Sequence, residues 1–450
     1  MDLHALEKRP GADGYLFGKG PAWFAFVMTL GLMVVDYVDR QVIVSLFPYM
    51  RADWGLSDKQ LGALVSVVSI TVALGALPVA LFADRASRVK SIVAMATVWS
   101  LATISCLWTR SYGQLFAARA LVGLGEAGYG SVGAALIASH FPARMRGALL
   151  AGFFASASIG SVLGVMLGGL IAARWGWQAA FGIVGVPGLV LALLYLKVRD
   201  YRTVALEPTQ DARRRSLGKA AQHIGSMLMR SPTMLWVCIG GAAQLIVVSA
   251  LWSWLPSFLN RVHGIAPPQA AVKAAGVVLA GAVGSVVWGA LVDRAGTRNP
   301  ERKLALMALL CLAAMGILAF TFGAERLGIA LAANTQFALI LLGGFLATCT
   351  VGPVSAIVID VIHPGVRATG SSVLALFQNL FGLAAGPFIV GVLSDAWGLT
   401  PALAATPAFG AVAALAFMRA RHSYAGDRDR AAEPPAAPSD RPSAAATAAA

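Results

Sequence analysis

The chain has 450 residues, of which 58% are hydrophobic and 12% are charged, and its formal net charge is +14. A soluble protein has about 45–50% apolar and about 25% charged residues, so this composition excludes an ordinary soluble domain and indicates a membrane protein. The four cysteines show no C-x-x-C spacing and the six histidines no paired-ligand spacing. A disulfide framework, a metal site and a metal-dependent enzyme are therefore not expected.

Apolar segments long enough to cross a bilayer recur along the whole chain. A transmembrane helix needs about 20 mostly apolar residues, and twelve segments satisfy this requirement. We therefore expect an all-α integral membrane protein with twelve transmembrane helices. The predicted spans are 22–48, 60–83, 91–108, 114–138, 148–172, 178–197, 234–259, 270–292, 304–322, 334–360, 368–393 and 401–419.

Lysine and arginine are distributed unevenly between the loops. With the N-terminus inside, 26 of them fall on the cytoplasmic side, seven on the opposite side, and two, Arg40 and Arg119, inside spans. Cytoplasmic loops of membrane proteins collect Lys and Arg. The bias predicts a multi-pass protein of a bacterial inner membrane with both termini in the cytoplasm. It also explains the positive charge without a nucleic-acid partner.

Short motifs recur in the same order on both sides of a polar segment at 198–233. This repetition predicts a duplicated six-helix unit with pseudo-twofold symmetry, an architecture of many secondary transporters. We expect an N-terminal half at 1–197, a linker at 198–233, a C-terminal half at 234–420 and a disordered tail at 421–450. The repeated motifs are Asp84-Arg85-Ala-Ser-Arg88 with Asp293-Arg294-Ala-Gly-Thr-Arg298, Pro142-Ala-Arg-Met-Arg146 with Pro364-Gly-Val-Arg367, and Trp175-Gly176 with Trp397-Gly398.

These loops, together with Arg119-x-x-x-Gly123-x-Gly-Glu126 and Gly160-x-x-x-Gly164, resemble signature motifs of the major facilitator superfamily. Ala80 and Ser87 replace the glycines usual in the first loop. Asp39-Arg40 with Gly-Glu126-Ala resembles two branches, the Spinster-like transporters of lysolipids or sphingosine-1-phosphate and the anion:cation symporters of sugar acids and other organic anions. The segments 261–264 and 379–387 are more similar to Spinster members.

Five ionisable residues lie deep in predicted spans one and four: Asp36, Asp39, Arg40, Arg119 and Glu126. Each costs about 2.5–3.5 kcal/mol at a span centre on insertion scales, so such residues usually have a function or a partner. Asp36 and Arg40 share a helix face by their i,i+4 spacing. In the superfamily both spans line the central cavity, and we therefore expect one charged cluster.

The charges of this cluster suggest how proton and substrate binding would be coupled. With all carboxylates ionised the cluster is net negative, and one proton makes it neutral, so protonation and anion binding assist each other. Glu126 is the first candidate proton carrier because burial favours the neutral carboxyl group. The resemblance implies that Asp39 and Glu126 carry protons and that Arg40 binds the substrate. It assigns Arg119 to either role. The alternative is a buried ionic lock that orients the two spans, and Asp36 is expected to be structural.

The predicted spans of the C-terminal half contain polar groups but no charge near their centres. Candidate substrate-binding residues there are Gln244, Trp252, Thr348, Gln378 and Asn379. Polar groups in spans also bond neighbouring helices, and Trp252 with Trp254 is equally consistent with an interfacial belt. A charged N-terminal half facing an apolar C-terminal half suits an amphipathic substrate.

The repeated loop charges have two interpretations. They are either ordinary loop charges or, as the resemblance implies, a latch that holds the cytoplasmic ends together in one state. The candidate latch residues are Asp84, Arg85, Arg88, Arg146, Asp293, Arg294, Arg298 and Arg367.

The function expected from these patterns is secondary active transport. The chain lacks a G-x-S-x-G elbow, an H-E-x-x-H motif and a phosphate-binding P-loop, which argues against an enzyme and an ATP-driven pump. We expect a monomer in the lipid bilayer that transports an anionic or amphipathic organic substrate such as a lysophospholipid by alternating access. Protons would be the coupling ion, with no cofactor. The alternative is a proton symporter of small organic anions such as sugar acids.

Overall fold

A computed structural model describes residues 14–85, 87–200, 231–297, 299–362 and 367–432, apart from the side chains at 77, 80–85 and 367–369. Within these ranges the regular elements are helices, and twelve of them are long and apolar enough to cross a membrane. The predicted all-α, twelve-helix membrane fold is confirmed. The spans are α1 Lys19–Ser45, α2 Asp58–Ala76, α3 Arg88–Trp108, α4 Tyr112–His140, α5 Ala143–Trp175, α6 Trp177–Tyr195, α7 Pro232–His263, α8 Pro267–Gly296, α9 Arg302–Leu327, α10 Ala333–Asp360, α11 Gly370–Trp397 and α12 Leu399–Ala431.

The even number of spans places both ends of the described chain at one face, which we call the terminal face. The opposite face, which we call the distal face, carries the connections such as the short helix Phe47–Trp54 between α1 and α2. The N-terminal half contains α1–α6 and the C-terminal half α7–α12. Most of the predicted linker, residues 201–230, lies outside the described residues.

Among the described residues, the hydrophobic core that the two halves share lies toward the distal face. There Phe47 and Trp177 of the N-terminal half belong to the same buried cluster as Trp254 and Phe322 of the C-terminal half. Toward the terminal face, the described residues form two separate clusters, one within each half. The shared apolar packing between the halves is therefore concentrated toward the distal face.

Glycines on α5 allow unusually close helix packing on two sides. A Cβ added at Gly164 would lie 2.6 Å from the carbonyl oxygen of Val38, and one at Gly168 would lie 2.6 Å from that of Val42, both on α1. One at Gly169 would collide with the Cβ of Ala271 on α8 in the other half. Small residues thus bring α5 against the backbone of α1 and against α8.

The C-terminal tail differs from its expected disorder after residue 420. The last helix continues from Phe409 to Ala432. The buried carboxylate of Asp427 accepts hydrogen bonds from the backbone N–H of Thr233 at 2.8 Å and from the hydroxyl of Ser231 at 3.0 Å. Tyr424 donates to Asp360 at 3.0 Å. These contacts with the start of α7 and the end of α10 provide the helix with partners that tail composition does not reveal. Residues 433–450 lie outside the described part.

Candidate functional site

A break in α4 positions the two charged residues of that span. The first segment, Tyr112–Glu126, ends at Glu126, and a second segment runs from Tyr129 to His140. Gly128 between them has φ +84°, a left-handed conformation that glycine adopts without steric cost. Tyr129 then donates to the carbonyl oxygen of Thr29 on α1 at 2.5 Å. The break therefore fixes the end of the first segment, and with it Glu126, beside α1.

Arg40 bridges two carboxylates and joins α1 to α4. Its Nε lies 3.2 Å from Oδ1 of Asp36 and 3.0 Å from Oε2 of Glu126. Oε2 of Glu126 is close enough to Arg40 for an ion pair, but neither oxygen of Glu126 makes a hydrogen bond within the described residues. The structure thus brings together Asp36, Arg40 and Glu126. The i,i+4 spacing predicts the contact of Asp36 with Arg40, and the resemblance to the superfamily implies that of Glu126 with Arg40. Breaking such a buried pair on one side is costly because it leaves an uncompensated charge.

Asp39 and Arg119 form the second part of the cluster. Asp39 is fully buried, and its Oδ2 accepts a hydrogen bond from Thr103 of α3 at 2.8 Å. Arg119 donates from Nη1 to the backbone carbonyl of Asp39 at 3.2 Å, and its guanidinium carbon lies 5.8 Å from the centre of the Phe181 ring. Thr103 has no distinctive sequence signal, since single threonines are common in apolar spans.

Several polar atoms of the cluster have capacity for further hydrogen bonds. Oδ1 of Asp39, Nε and Nη2 of Arg119, and both carboxylate oxygens of Glu126 are buried without a hydrogen-bond partner among the described residues. Buried polar atoms in folded proteins usually have partners. The cluster can therefore accept a proton or exchange partners without first breaking a complete hydrogen-bond network.

Arg40 is the most accessible member of the cluster. Its side chain is 16% exposed, whereas Asp39 and Arg119 are completely buried. Its guanidinium carbon also lies 5.4 Å from the centre of the Tyr37 ring. This geometry favours Arg40 over Arg119 as the group that meets a substrate. The burial of Arg119 and its bond to the backbone of α1 favour a positioning role.

The polar candidates of the C-terminal half divide into two groups. In the first group, Gln244 donates to the carbonyl oxygen of Ala347 at 2.9 Å, and Thr348 donates to that of Gly281 at 2.8 Å. Trp252 packs close to the same Gly281. These contacts tie α7, α8 and α10 together, which supports the helix-bonding alternative for Gln244 and Thr348.

The second group, Gln378 and Asn379, begins a π-helical segment of α11 that runs to Leu383. Both residues are half-buried, and Asn379 donates to the carbonyl oxygen of Ala375 at 2.9 Å. Ser249 of α7 donates to the carbonyl oxygen of Gly382 at 3.2 Å, next to the cross-half bond from Ser66 to Ala384 at 2.5 Å. Single π turns are frequent at functional sites, so Gln378 and Asn379 remain the stronger candidates in this half.

At the distal face, a buried carboxylate joins the two halves. Arg261 of α7 donates to both oxygens of Asp58 at 2.7 Å, and Arg51 donates to Oδ1 at 2.8 Å. Ser394 of α11 donates to Oδ2 at 2.5 Å. The C-terminal half also contributes a carboxylate. The two oxygens of Asp395 accept hydrogen bonds from the backbone N–H groups of residues 58 and 59 in the N-terminal half, each at 2.9 Å. We call Arg51, Asp58, Arg261, Ser394 and Asp395 the distal network.

The hydropathy and charge patterns of the sequence do not predict the distal network. The available signal was the group of seven basic residues on the side opposite the termini, since Arg51 and Arg261 are two of these exceptions to the charge bias. A basic residue that departs from the bias requires a local reason, and here the reason is a buried aspartate.

The candidate latch residues are only partly described. The side chains of Asp84, Arg85 and Arg367, and all of Arg298, lie outside the described residues, while Arg294 is exposed at the end of α8. Other candidates make contacts within their own half, and these contacts do not join the two halves. Arg88 donates to Ser139 at 3.4 Å, Arg146 donates to the carbonyl oxygen of Phe141 at 3.0 Å, and Asp293 lies 3.6 Å from Lys303.

Comparison with known families identifies the architecture. The sequence profile of the Major Facilitator Superfamily matches residues 29–387. The chain belongs to the major facilitator superfamily. Among solved structures, it resembles a bacterial homologue of the human lysosomal transporter Spinster, with a TM-score of 0.79 and 22% identity over 91% of this chain and 99% of that one. This likeness confirms the fold.

Relatives from both expected branches recur among the similar sequences. An MFS-type efflux pump of Mycolicibacterium smegmatis is 30% identical, with 84% of this chain and 86% of the relative covered. Protein spinster of Drosophila melanogaster is 25% identical, with 83% of this chain and 62% of the relative covered. A gallate transporter of Pseudomonas putida is 28% identical, with 87% of this chain and 91% of the relative covered. These superfamily members are transporters and an efflux pump rather than enzymes, which confirms the expectation that this chain is a transport protein.

Proposed function

We propose that this superfamily member is a proton-coupled secondary active transporter of an anionic or amphipathic, lysophospholipid-like organic substrate, and that it works by alternating access without a cofactor. The observation that carries this proposal is the position of Arg40, which lies between Asp36 and Glu126 and is the accessible member of the cluster. An arginine fork can pair with a carboxylate or a phosphate and does not lose its proton.

Proton and substrate would be coupled through the shared partner. When Glu126 is ionised, Arg40 is neutralised by two carboxylates. A proton on Glu126 removes one of them, so that Arg40 becomes available to the anionic group of a substrate. When the substrate leaves, Arg40 again favours the ionised form of Glu126, and the proton is released. This reciprocity is a coupling free energy between two binding events.

The substrate class is tested by a stability screen on the purified protein. A ligand that binds the folded form raises its apparent stability. We expect lysophospholipids to raise the melting temperature more than sugar acids or aromatic acids do. The gallate transporter among the relatives makes small organic anions the second candidate, and stabilisation by aromatic or sugar acids alone would favour it. A substrate gradient that persists in proteoliposomes after an uncoupler is added would contradict proton coupling.

We further propose that the terminal face is cytoplasmic in a bacterial inner membrane and that the protein works as a monomer. The 26-to-7 distribution of Lys and Arg supports this orientation. A reporter that is active only in the cytoplasm, fused after residue 432, is expected to be active. The matched control is the same reporter inserted after Gly328 on the distal face, which is expected to be inactive. The opposite pattern would reverse the orientation.

The latch is proposed to hold the cytoplasmic ends together in the state that opens at the distal face. Asp84→Asn removes a charge from this latch and is expected to shift the population toward the state open to the cytoplasm. Spin labels at Lys90→Cys and Arg302→Cys, both exposed and one in each half, would report longer distances. Asp429→Asn, which alters an exposed acid on the same face, is the control. Unchanged distances in Asp84→Asn would support ordinary loop charges.

A further inference from the structure

We propose that the distal network is the outer gate of the transport cycle, and that the pair between Asp58 and Arg261 is the contact that must break when the distal face opens. Asp58 begins α2 in the N-terminal half, and Arg261 lies near the end of α7 in the C-terminal half. Both oxygens of the carboxylate are engaged by one guanidinium, each at 2.7 Å. Bidentate pairs of this kind are among the strongest side-chain hydrogen bonds.

The network is doubly anchored because each half contributes a carboxylate to the other. Asp395 of α11 accepts the first N–H groups of α2, where the helix dipole favours a negative charge. Gly391 leaves no side chain between α11 and the backbone of Asp58, and an added Cβ would collide with the carbonyl group of Asp58. Separating α2 from the C-terminal half therefore removes three partners at once from Asp58 and its helix end: Arg261 of α7, and Ser394 and the carboxylate of Asp395 of α11.

The two arginines on Asp58 are not equivalent. Arg51 belongs to the same half as Asp58 and can stay with it when the halves separate, whereas Arg261 moves away with the other half. Arg51 is also 50% exposed, while Arg261 is 22% exposed and Asp58 is 3% exposed. Exposed ion pairs contribute little, whereas removing one partner of a buried pair is strongly destabilising. Of the two arginines, only Arg261 should favour the open state when it is lost.

The chain thus offers a matched control within the same site. Spin labels at Arg110→Cys and Arg326→Cys lie on the distal face, one in each half, and both positions are exposed. The four native cysteines are buried, which limits background labelling. We expect Arg261→Gln to raise the ratio of long to short distances by about tenfold or more, and Arg51→Gln to change it by less than about threefold.

A second variant keeps the test decisive where Arg261→Gln does not fold. Asp395→Asn weakens the other anchor without touching either arginine, and it is expected to shift the distances in the same direction. Unchanged distances in Arg261→Gln, or equal opening by Arg51→Gln, would overturn the proposal and make the network a static contact. If only Asp395→Asn folds, unchanged distances in that variant also overturn it. The measurement requires neither substrate nor a proton gradient, so its outcome is independent of the coupling proposed above.

Discussion

Glu126→Gln is expected to abolish proton-driven accumulation of substrate while leaving substrate exchange across the membrane intact. Glutamine keeps the shape and most hydrogen bonds of a protonated glutamate, but it cannot release a proton. Arg40 would then be held by Asp36 alone and would remain available to an anion. The measurement compares uphill uptake into proteoliposomes under a proton gradient with counterflow of labelled substrate in the absence of a gradient.

Asp36→Asn is the matched control for this variant. Asp36 also contacts Arg40, at 3.2 Å, from the neighbouring turn of α1. If Asp36 only positions the arginine, the control should still accumulate substrate uphill, although less efficiently. Uphill transport by Glu126→Gln at the parental level would show that Glu126 is not the carrier. Asp39, which is buried and bonded to Thr103, would then be the residue to test by the same pair of assays.

Arg40→Ala is expected to abolish substrate binding itself, and not only its coupling to protons. The anionic group would lose its charged donors, and Asp36 and Glu126 would face it unopposed. Hydrogen bonds to charged groups contribute about 1.5–3 kcal/mol, so the loss of each such interaction weakens affinity by about 10- to 150-fold. Arg40→Lys should restore little of this affinity because an ammonium group lacks the planar pair of donors.

Binding is measured by calorimetry or by the ligand-induced rise in melting temperature. The phenotypes of the Arg40 and Glu126 variants must differ if the two residues have separate roles. Arg119→Lys provides the comparison at a fully buried arginine, which contacts the backbone of α1. If both Arg40→Ala and Glu126→Gln fail to insert or unfold, the cluster is an ionic lock between α1 and α4, and the structural alternative is correct.

The fold and the centre of the site were predictable because both depend on the cost of placing charge in a membrane. Long apolar segments define the spans, and the few charges inside them stand out, so the contact between Arg40 and Glu126 follows from spacing and the superfamily's arrangement of helices. Asp58 and Arg261 lie at span ends, where a charged side chain costs little free energy and the hydropathy profile shows nothing unusual. Their pairing depends on how two halves dock, and a sequence pattern within one helix does not contain that information.

The glycines of α5 have a mechanical consequence for the movement of the two halves. Gly164 and Gly168 pack against the backbone of α1, while Gly169 packs against Ala271 of α8. Of these contacts, the one between Gly169 and Ala271 joins the two halves, and neither residue has a large side chain, so a small rotation of one half against the other would not force rotamer changes of these two residues. Because α1 contains Asp39 and Arg40 and packs tightly against α5, the charged cluster should travel with the N-terminal half as a rigid body. The position of Arg40 relative to the C-terminal half would then be set by the rotation itself.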